Sequence, residues 1–497
     1  MMLKSGKEIA VYGNTFPFLS FGKRSWVIVL FLLLTAPIFA SFLNLSGEEK
    51  VYPLCVMFLM ISIWIACTIK YISRDILNLY SLFMLAAVLF NGGQALLEVF
   101  HMNEVGLLMD RFHPGTQSET LYLVMLSLVS FHAGGILSTG NKMKNKMDIN
   151  HDDYPPAVSA QALHIIGCVL LIISCVPVGI LALDALEIVM WGGYSALYQQ
   201  ERATGLIAGL EGVTHFLAGF FVTGCLFLLV GTKDNKKIQL STIGLLLFYA
   251  GIFFFLGHRR YGTMIFLSVV WIWHVIIRPL SLRKLTVIGL LLLFFVFPTI
   301  NLIRNIEGGD RLSYKYLVEA FLSIESPIIM AISEMGGSMG TIAYTLHLIP
   351  DERPFAMGTT YLYVATSIIP NLFWGLHPAI EYGSLARWLT ITVDPFAFLS
   401  GGGLGYSFIA EAYANFGWWG APVLLALLGF AIAKLTSWPK GRDDYARIAF
   451  VAVCIATILL WVRGDANIIF RPLIYYALMP YWAVCFVRSR LLRKRKG

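Results

Sequence analysis

The chain predicts an all-α polytopic membrane protein of about twelve transmembrane helices, with one large outer loop between spans 9 and 10. Three observations carry that prediction. Hydrophobic residues make up 58% of the 497 residues and charged residues 13%, about half the charged share of a soluble domain. Apolar runs close to the ~20 residues that a helix needs to cross a bilayer recur along the chain. Lysine and arginine alternate between abundance and scarcity in the connections between those runs, as the positive-inside rule requires.

The runs fall at 26–45, 51–69, 77–98, 120–138, 160–182, 208–230, 238–256, 262–277, 285–303, 404–433, 446–462 and 472–487. Before the first run stand Lys4, Lys7, Lys23 and Arg24, and no small-residue cleavage signal follows it, so it reads as an uncleaved span. The chain divides into 1–303 (spans 1–9), 304–403 (the outer loop) and 404–497 (spans 10–12 and a basic tail).

With both termini cytoplasmic, 25 of the 37 Lys and Arg fall inside, in clusters such as Lys233/Lys236/Lys237, Arg283/Lys284, Lys440/Arg442 and the tail "RSRLLRKRKG". The net charge of +8 is therefore explained by topology, and no nucleic-acid partner is expected. The outer twelve are Lys50, Lys315 and ten arginines: Arg111, Arg202, Arg259, Arg260, Arg304, Arg311, Arg353, Arg387, Arg463 and Arg471. The guanidinium fork binds phosphate or carboxylate oxygens in pairs, whereas lysine acts as a point charge. Arginine on the disfavoured face points to a phosphate or acidic-sugar ligand, with ion pairs to outer carboxylates as the structural alternative. In "GHRRYG" (257–262) two arginines sit side by side in what reads as a short outer turn. One is expected to face a site and the other to pair with a carboxylate or a headgroup.

The segment 304–403 is too apolar and aromatic for a disordered connection. "YKYLVEAFLSIESPIIMAISEM" reads as amphipathic helix broken at Pro327, and "GTTYLYVATSIIPNLFWGL" (358–376) as an interfacial stretch kinked near Pro370. Were the latter a span, the next one would leave Lys434, Lys440 and Arg442 outside.

Several chemistries are not indicated. The seven cysteines all fall in apolar runs and form no CxxC, so neither a disulfide framework nor a thiolate metal site is expected. No D-x-D, P-loop or HExxH occurs. "GGSMG" (336–340) matches G-x-S-x-G, but a nucleophile elbow needs a strand before the serine and the flanks here read as helical or loop-like. No metal and no cofactor is expected. Two stretches carry chemistry instead. In "GGGLGYSFIAEAYANFGWWG" (401–420), Glu411 falls about seven residues, ~10 Å, inside span 10, a costly depth for a carboxylate without a partner. "VRGDANIIFRP" (462–472) brings Arg463, Asp465 and Arg471 to the turn between the last two spans.

These stretches, in this order, are where the chain resembles the Wzy-type oligosaccharide repeat-unit polymerases of bacterial O-antigen, enterobacterial common antigen and capsule assembly. The "GHRRYG" arginines, the loop ending in "IIPNLFWGLHPAIEYGSLARWL", "AEAYANFGWWG" and "VRGDANIIFRP" carry the resemblance; residues 1–200 match only as a set of spans. It implies a GT-C-like, metal-independent glycosyltransferase of the bacterial inner membrane, with its active site facing the periplasm. Such an enzyme moves a growing glycan from one undecaprenyl-pyrophosphate carrier onto a lipid-linked repeat unit. The implied partners are the lipid-linked donor and acceptor, membrane lipid, a chain-length regulator (a polysaccharide co-polymerase) and a flippase. On this reading Arg259, Arg260, Glu411 and Asp465 are the catalytic candidates. Arg202, Arg304, Arg387, Arg463, Arg471 and His377 are the candidates for binding pyrophosphate or glycan. An O-antigen ligase has similar topology, and His347 and His377 in the loop fit it. A lipid-glycan flippase, the alternative of a different class, would show internal repeats, of which none is seen here, and charges along a central path, and would not need a hundred-residue outer loop.

Overall fold

The computed structural model describes residues 27–28, 31, 47–73, 75–104, 106–139, 155–199, 205–305, 314–324, 326–371 and 374–496. Among them no strand occurs, and eleven helices are long and apolar enough to cross a membrane. They are Glu49–Tyr71, Leu79–Val99, Pro114–Ser138, Pro156–Tyr194, Leu210–Gly231, Lys236–Phe255, Arg259–Ile277, Leu282–Ile300, Phe408–Thr436, Tyr445–Arg463 and Asn467–Lys494. These correspond in order to expected spans 2–12; the first, 26–45, lies almost wholly outside the described residues. The protein is a multi-pass, all-helical membrane protein.

Local chemistry sets the starts of these helices. Asn78, Asn235 and Ser407 cap spans 3, 7 and 10 by accepting hydrogen bonds from the Ser81, Ile238 and Ile409 amides. Pro114 opens span 4, where a missing N–H costs nothing. Spans 4 and 10 form the most intimate pair because glycines face each other's backbone. A Cβ at Gly134 would run into the Ala426 carbonyl, and one at Gly429 into the Phe131 carbonyl.

Hydrogen bonds tie the helix ends into two layers. In one, Lys233 reaches the Tyr445 hydroxyl and Asp443 (3.8 Å to the latter), and the Tyr80 amide donates to Thr436 (3.1 Å). In the other, Ser407 donates to Asn91 (2.6 Å) and Arg259 meets Glu334. The long connection belongs to this second layer.

That connection is folded. Its described helices are α1 (Tyr314–Leu322), α2 (Pro327–Gly336), α3 (Ser338–Leu348), α4 (Thr359–Ala365), α5 (Pro378–Glu381), α6 (Leu385–Val393) and α7 (Pro395–Leu399). The break between α1 and α2 falls where Pro327 predicts it. α2 packs on span 3, and α3 on spans 3, 4 and 10, burying Met335, Met339, Ile342 and Ala343. The connection is thus part of the core. "GGSMG" straddles the α2–α3 junction, and Ser338 is buried in the first turn of α3; no strand precedes it. In 358–376 the helix stops after Ala365, passes through a tight turn (Thr366–Ile368) and becomes extended at Ile369, too short to cross.

Span 10 departs from expectation. It begins at Phe408, not 404, and Gly417 takes a left-handed conformation (φ 62°) that splits it into 408–416 and 418–436. The second piece, roughly 28 Å at 1.5 Å per residue, is by itself long enough to cross. Glu411 therefore lies in the short first piece, in the layer of the long connection, and not ~10 Å down a span. The break has a use. It frees the Ala414 and Asn415 carbonyls, which accept the Ala356 and Met357 amides at 2.9 Å each. A methyl group at Gly417 would meet both the forbidden φ and, at 3.2 Å, the Phe355 ring. Gly417→Ala should lower the melting temperature of the detergent-solubilised protein by several degrees, against no change for Gly251→Ala, whose Cβ would meet open space. Equal melting of both variants would mean that the break is not required.

Candidate functional site

The first turn of span 10, the turn between spans 11 and 12, and α4 and α6 of the long connection converge on Glu411 and Asp465. Both carboxylates are buried, at 0% and 4% exposure. Glu411 accepts from the Trp461 indole N–H (2.9 Å) and, through both oxygens, from the Ala466 amide (3.0 Å). Asp465 accepts from the Ser384 hydroxyl (2.9 Å) and the Ala386 amide (3.0 Å), so it closes the N-terminus of α6 from outside. Neither has a guanidinium or ammonium within ion-pair distance among the described residues. Two buried carboxylates held by neutral donors alone are expensive to keep. Burial pushes the Asp465 carboxyl above its ordinary range, against the pull of the Ala386 and Ser384 hydrogen bonds.

Around this pair stand groups that sequence reading did not single out. Tyr406 is fully buried, its hydroxyl 3.1 Å from Thr345. Burial raises its pKa, and Glu411 and Asp465 nearby add to the shift. Tyr361 on α4 is raised by burial and by Glu411, Tyr406 and Asp465. Arg353 lies over the Trp388 ring at 4.8 Å, and burial pulls its pKa down. Arg353 is one of the outer arginines, but nothing in its neighbourhood along the chain marks it out. Tyr406, Trp461 and Tyr361 reach the pair only through tertiary packing.

The sequence candidates divide. Glu411, Asp465 and Arg463 share one locus, with Arg463 packed against the Gly405 backbone and 5.9 Å from the Phe90 ring centre. Arg387 lies on α6, over Phe398 at 4.7 Å. Arg471 is one turn into span 12, exposed, over Tyr475 (5.7 Å) and Phe216 (6.0 Å). His377 is buried in the loop's own structure: Nδ1 accepts from the Ala379 amide (3.1 Å) and Nε2 donates to the Ile369 carbonyl (2.9 Å). Both ring nitrogens are engaged, which leaves none free for a substrate. Arg202 lies outside the described residues, as does the side chain of Arg304, whose backbone closes the helix Phe297–Asn305.

Arg259 and Arg260 are not in a turn but in the first turn of span 8, after His258. The Ser268–Ala452 hydrogen bond (3.1 Å) registers span 8 antiparallel to span 11. Equal steps outward from it put Arg259 at the height of Trp461. Arg259 grips Glu334 of α2 with both terminal nitrogens (2.6 Å for Nη1 to Oε2), while Arg260 is half-exposed over Tyr261 at 5.0 Å. One arginine of the pair thus has its carboxylate. Four others (Arg260, Arg353, Arg387 and Arg471) rest on aromatic faces, which hold a guanidinium without neutralising it.

Two expected outcomes follow from this geometry. The raised folded-state pKa of Asp465 means that folding takes up a proton. Its contribution is fully present below the ordinary carboxylate pKa and is lost as pH rises through the raised value. Melting temperature should therefore fall with rising pH in that window, and Asp465→Asn should flatten the slope; an unchanged slope would place the titration elsewhere. Arg259→Lys keeps the charge but not the fork. With Glu334→Gln in a double-mutant cycle on stability, the coupling should be about 2 kcal/mol, and a coupling near zero would dissolve the pair as a structural link.

Comparison with known proteins places the chain in one family. No curated protein and no solved structure gives a match. A family model described as O-antigen polysaccharide polymerase Wzy matches residues 25–496, nearly the whole chain. The chain belongs to the Wzy family of O-antigen polysaccharide polymerases.

Proposed function

We propose that this polymerase joins undecaprenyl-pyrophosphate-linked repeat units at the outer face of the bacterial inner membrane, beneath the 304–403 connection. The carrying observation is the pair of buried carboxylates, Glu411 and Asp465, without a cation of their own among the described residues, in a layer rich in arginines that stack on aromatic rings. Carboxylates so placed suit a reaction that needs a base and orienting acceptors. Arginines left unneutralised suit a ligand that brings its own negative charge.

In this reading the acceptor sugar hydroxyl attacks the anomeric carbon of the donor glycan as the bond to pyrophosphate breaks. The hydroxyl proton passes to Glu411, whose oxygens are oriented by Trp461 and Ala466. The departing pyrophosphate takes its charge compensation from arginines, Arg260 and Arg471 first, in the role a metal fills elsewhere. The fold is read as GT-C-like. Residues 1–303 and 404–497 hold the substrate lipids, and 304–403 roofs the site, with 358–376 at the membrane interface. The basic layer around Lys233, Lys440 and the C-terminal tail is placed in the cytoplasm with both termini, by the positive-inside rule. A chain-length regulator and a flippase are the protein partners this reading implies.

The test is Glu411→Gln, expressed at wild-type level in a strain lacking its own polymerase. Polymer should fall a hundredfold or more, leaving core-lipid A with a single repeat unit. A normal ladder would remove Glu411 from the chemistry and with it the assignment of the site.

A further inference from the structure

The Tyr361 hydroxyl is buried and has no hydrogen-bond partner among the described residues. A phenol in that condition is costly, because desolvation is not repaid. Its surroundings make the omission more notable. Burial raises its pKa, with Glu411, Tyr406 and Asp465 adding to the shift, yet none of the three is bonded to it.

Nor is Tyr361 free to search for one. Its helix, α4, is strapped at the start to span 10: the Gly358 amide and the Thr360 hydroxyl both donate to the Asn415 side chain, at 3.0 and 2.9 Å. Asn415 in turn donates to the Glu411 carbonyl at 2.9 Å, which fixes α4 one helical turn from the carboxylate. Beyond its end, the Ile368 carbonyl accepts the Tyr475 hydroxyl of span 12. The Tyr361 ring lies nearly parallel to that of Phe416, with 15° between planes. The backbone and ring are held, and the hydroxyl alone is left over.

We propose that the Tyr361 hydroxyl is a sugar-binding group, which takes its missing hydrogen bond from a hydroxyl of the incoming acceptor saccharide at a subsite bounded by Glu411, Asp465 and Phe416. The inference rests on the reading of the site given above. A sugar hydroxyl both donates and accepts, as a phenol does, and fits between a phenol and two carboxylates without adding charge. Tyr361 binds and orients the acceptor; the proton transfer belongs to Glu411.

The test exploits an asymmetry. Phenylalanine removes only an atom that bonds to nothing in the free protein, so Tyr361→Phe should melt at or above the wild-type temperature. Its polymerisation should still suffer. In membranes titrated with lipid-linked repeat unit extracted from the polymerase-deficient strain, the half-saturating concentration should rise about tenfold, the worth of one hydrogen bond. Ser127→Ala removes another unpartnered buried hydroxyl, inside span 4, and should leave both stability and half-saturation unchanged. A Tyr361→Phe variant that melts lower would show that the hydroxyl has a structural partner and overturn the proposal. Wild-type half-saturation would overturn it too. If Glu411→Gln is inactive in the same assay, only the Tyr361 assignment has failed; if Glu411→Gln is active, the site itself has.

Discussion

Two backbone hydrogen bonds govern the arrangement of this protein: the amides of Ala356 and Met357 on the carbonyls of Ala414 and Asn415. Those carbonyls are free only because Gly417 interrupts span 10. Next to a bilayer, freed backbone groups cannot be left to the lipid and must find protein partners. The long connection supplies them, and in doing so is fixed to span 10 within a turn of Glu411. The same break makes 408–416 a platform above the crossing piece. Trp418 and Trp419 follow at once, the latter almost wholly exposed (91%), as suits an aromatic residue at the lipid boundary.

From that platform the rest of the layer is built by polar side chains that do structural work at the edge of the site. Asn415 ties α4 to span 10, Asp465 closes the start of α6, and Glu411 holds the Ala466 amide of the turn between spans 11 and 12. A carboxylate that must stay buried to hold the fold is also one whose position is fixed for chemistry. The two roles coincide at Glu411 and Asp465 because the same desolvation that makes them costly makes their hydrogen bonds strong.

The arginine bias of these connections acquires a second physical cause. Arg353, Arg387 and Arg471 lie over Trp388, Phe398 and Tyr475, a contact that suits a flat guanidinium and that a hydrated ammonium makes less well. Stacking positions the cation but leaves its charge uncompensated. Arg259, by contrast, is spent on Glu334, where its two-pronged grip joins span 8 to α2. Adjacent arginines in "GHRRYG" therefore do unlike things, because successive residues on a helix point about 100° apart.

What the sequence alone determined is spans 2–12, the folded character of the long connection, the break at Pro327 and the family. These are written in local quantities: the length of apolar runs, proline, the sign of charge in each connection. The location of Glu411 and Asp465 as notable carboxylates was also legible, since an acidic residue in an apolar run (Glu411) or in a short charged turn between two runs (Asp465) is conspicuous by itself. Their partners were not. Nothing near Trp461, Ser384, Tyr361 or Arg353 in the chain announces that they meet, and the depth of Glu411 was misread because Gly417 reads as a single glycine tolerated inside an apolar span. Whether a glycine breaks a helix depends on whether another segment arrives to take up the carbonyls it frees, and Ser384 reaches Asp465 only when the long connection folds back onto the turn between spans 11 and 12. Those are decisions of tertiary structure, because a hydrogen bond between residues fifty or more positions apart leaves no trace in the spacing of either.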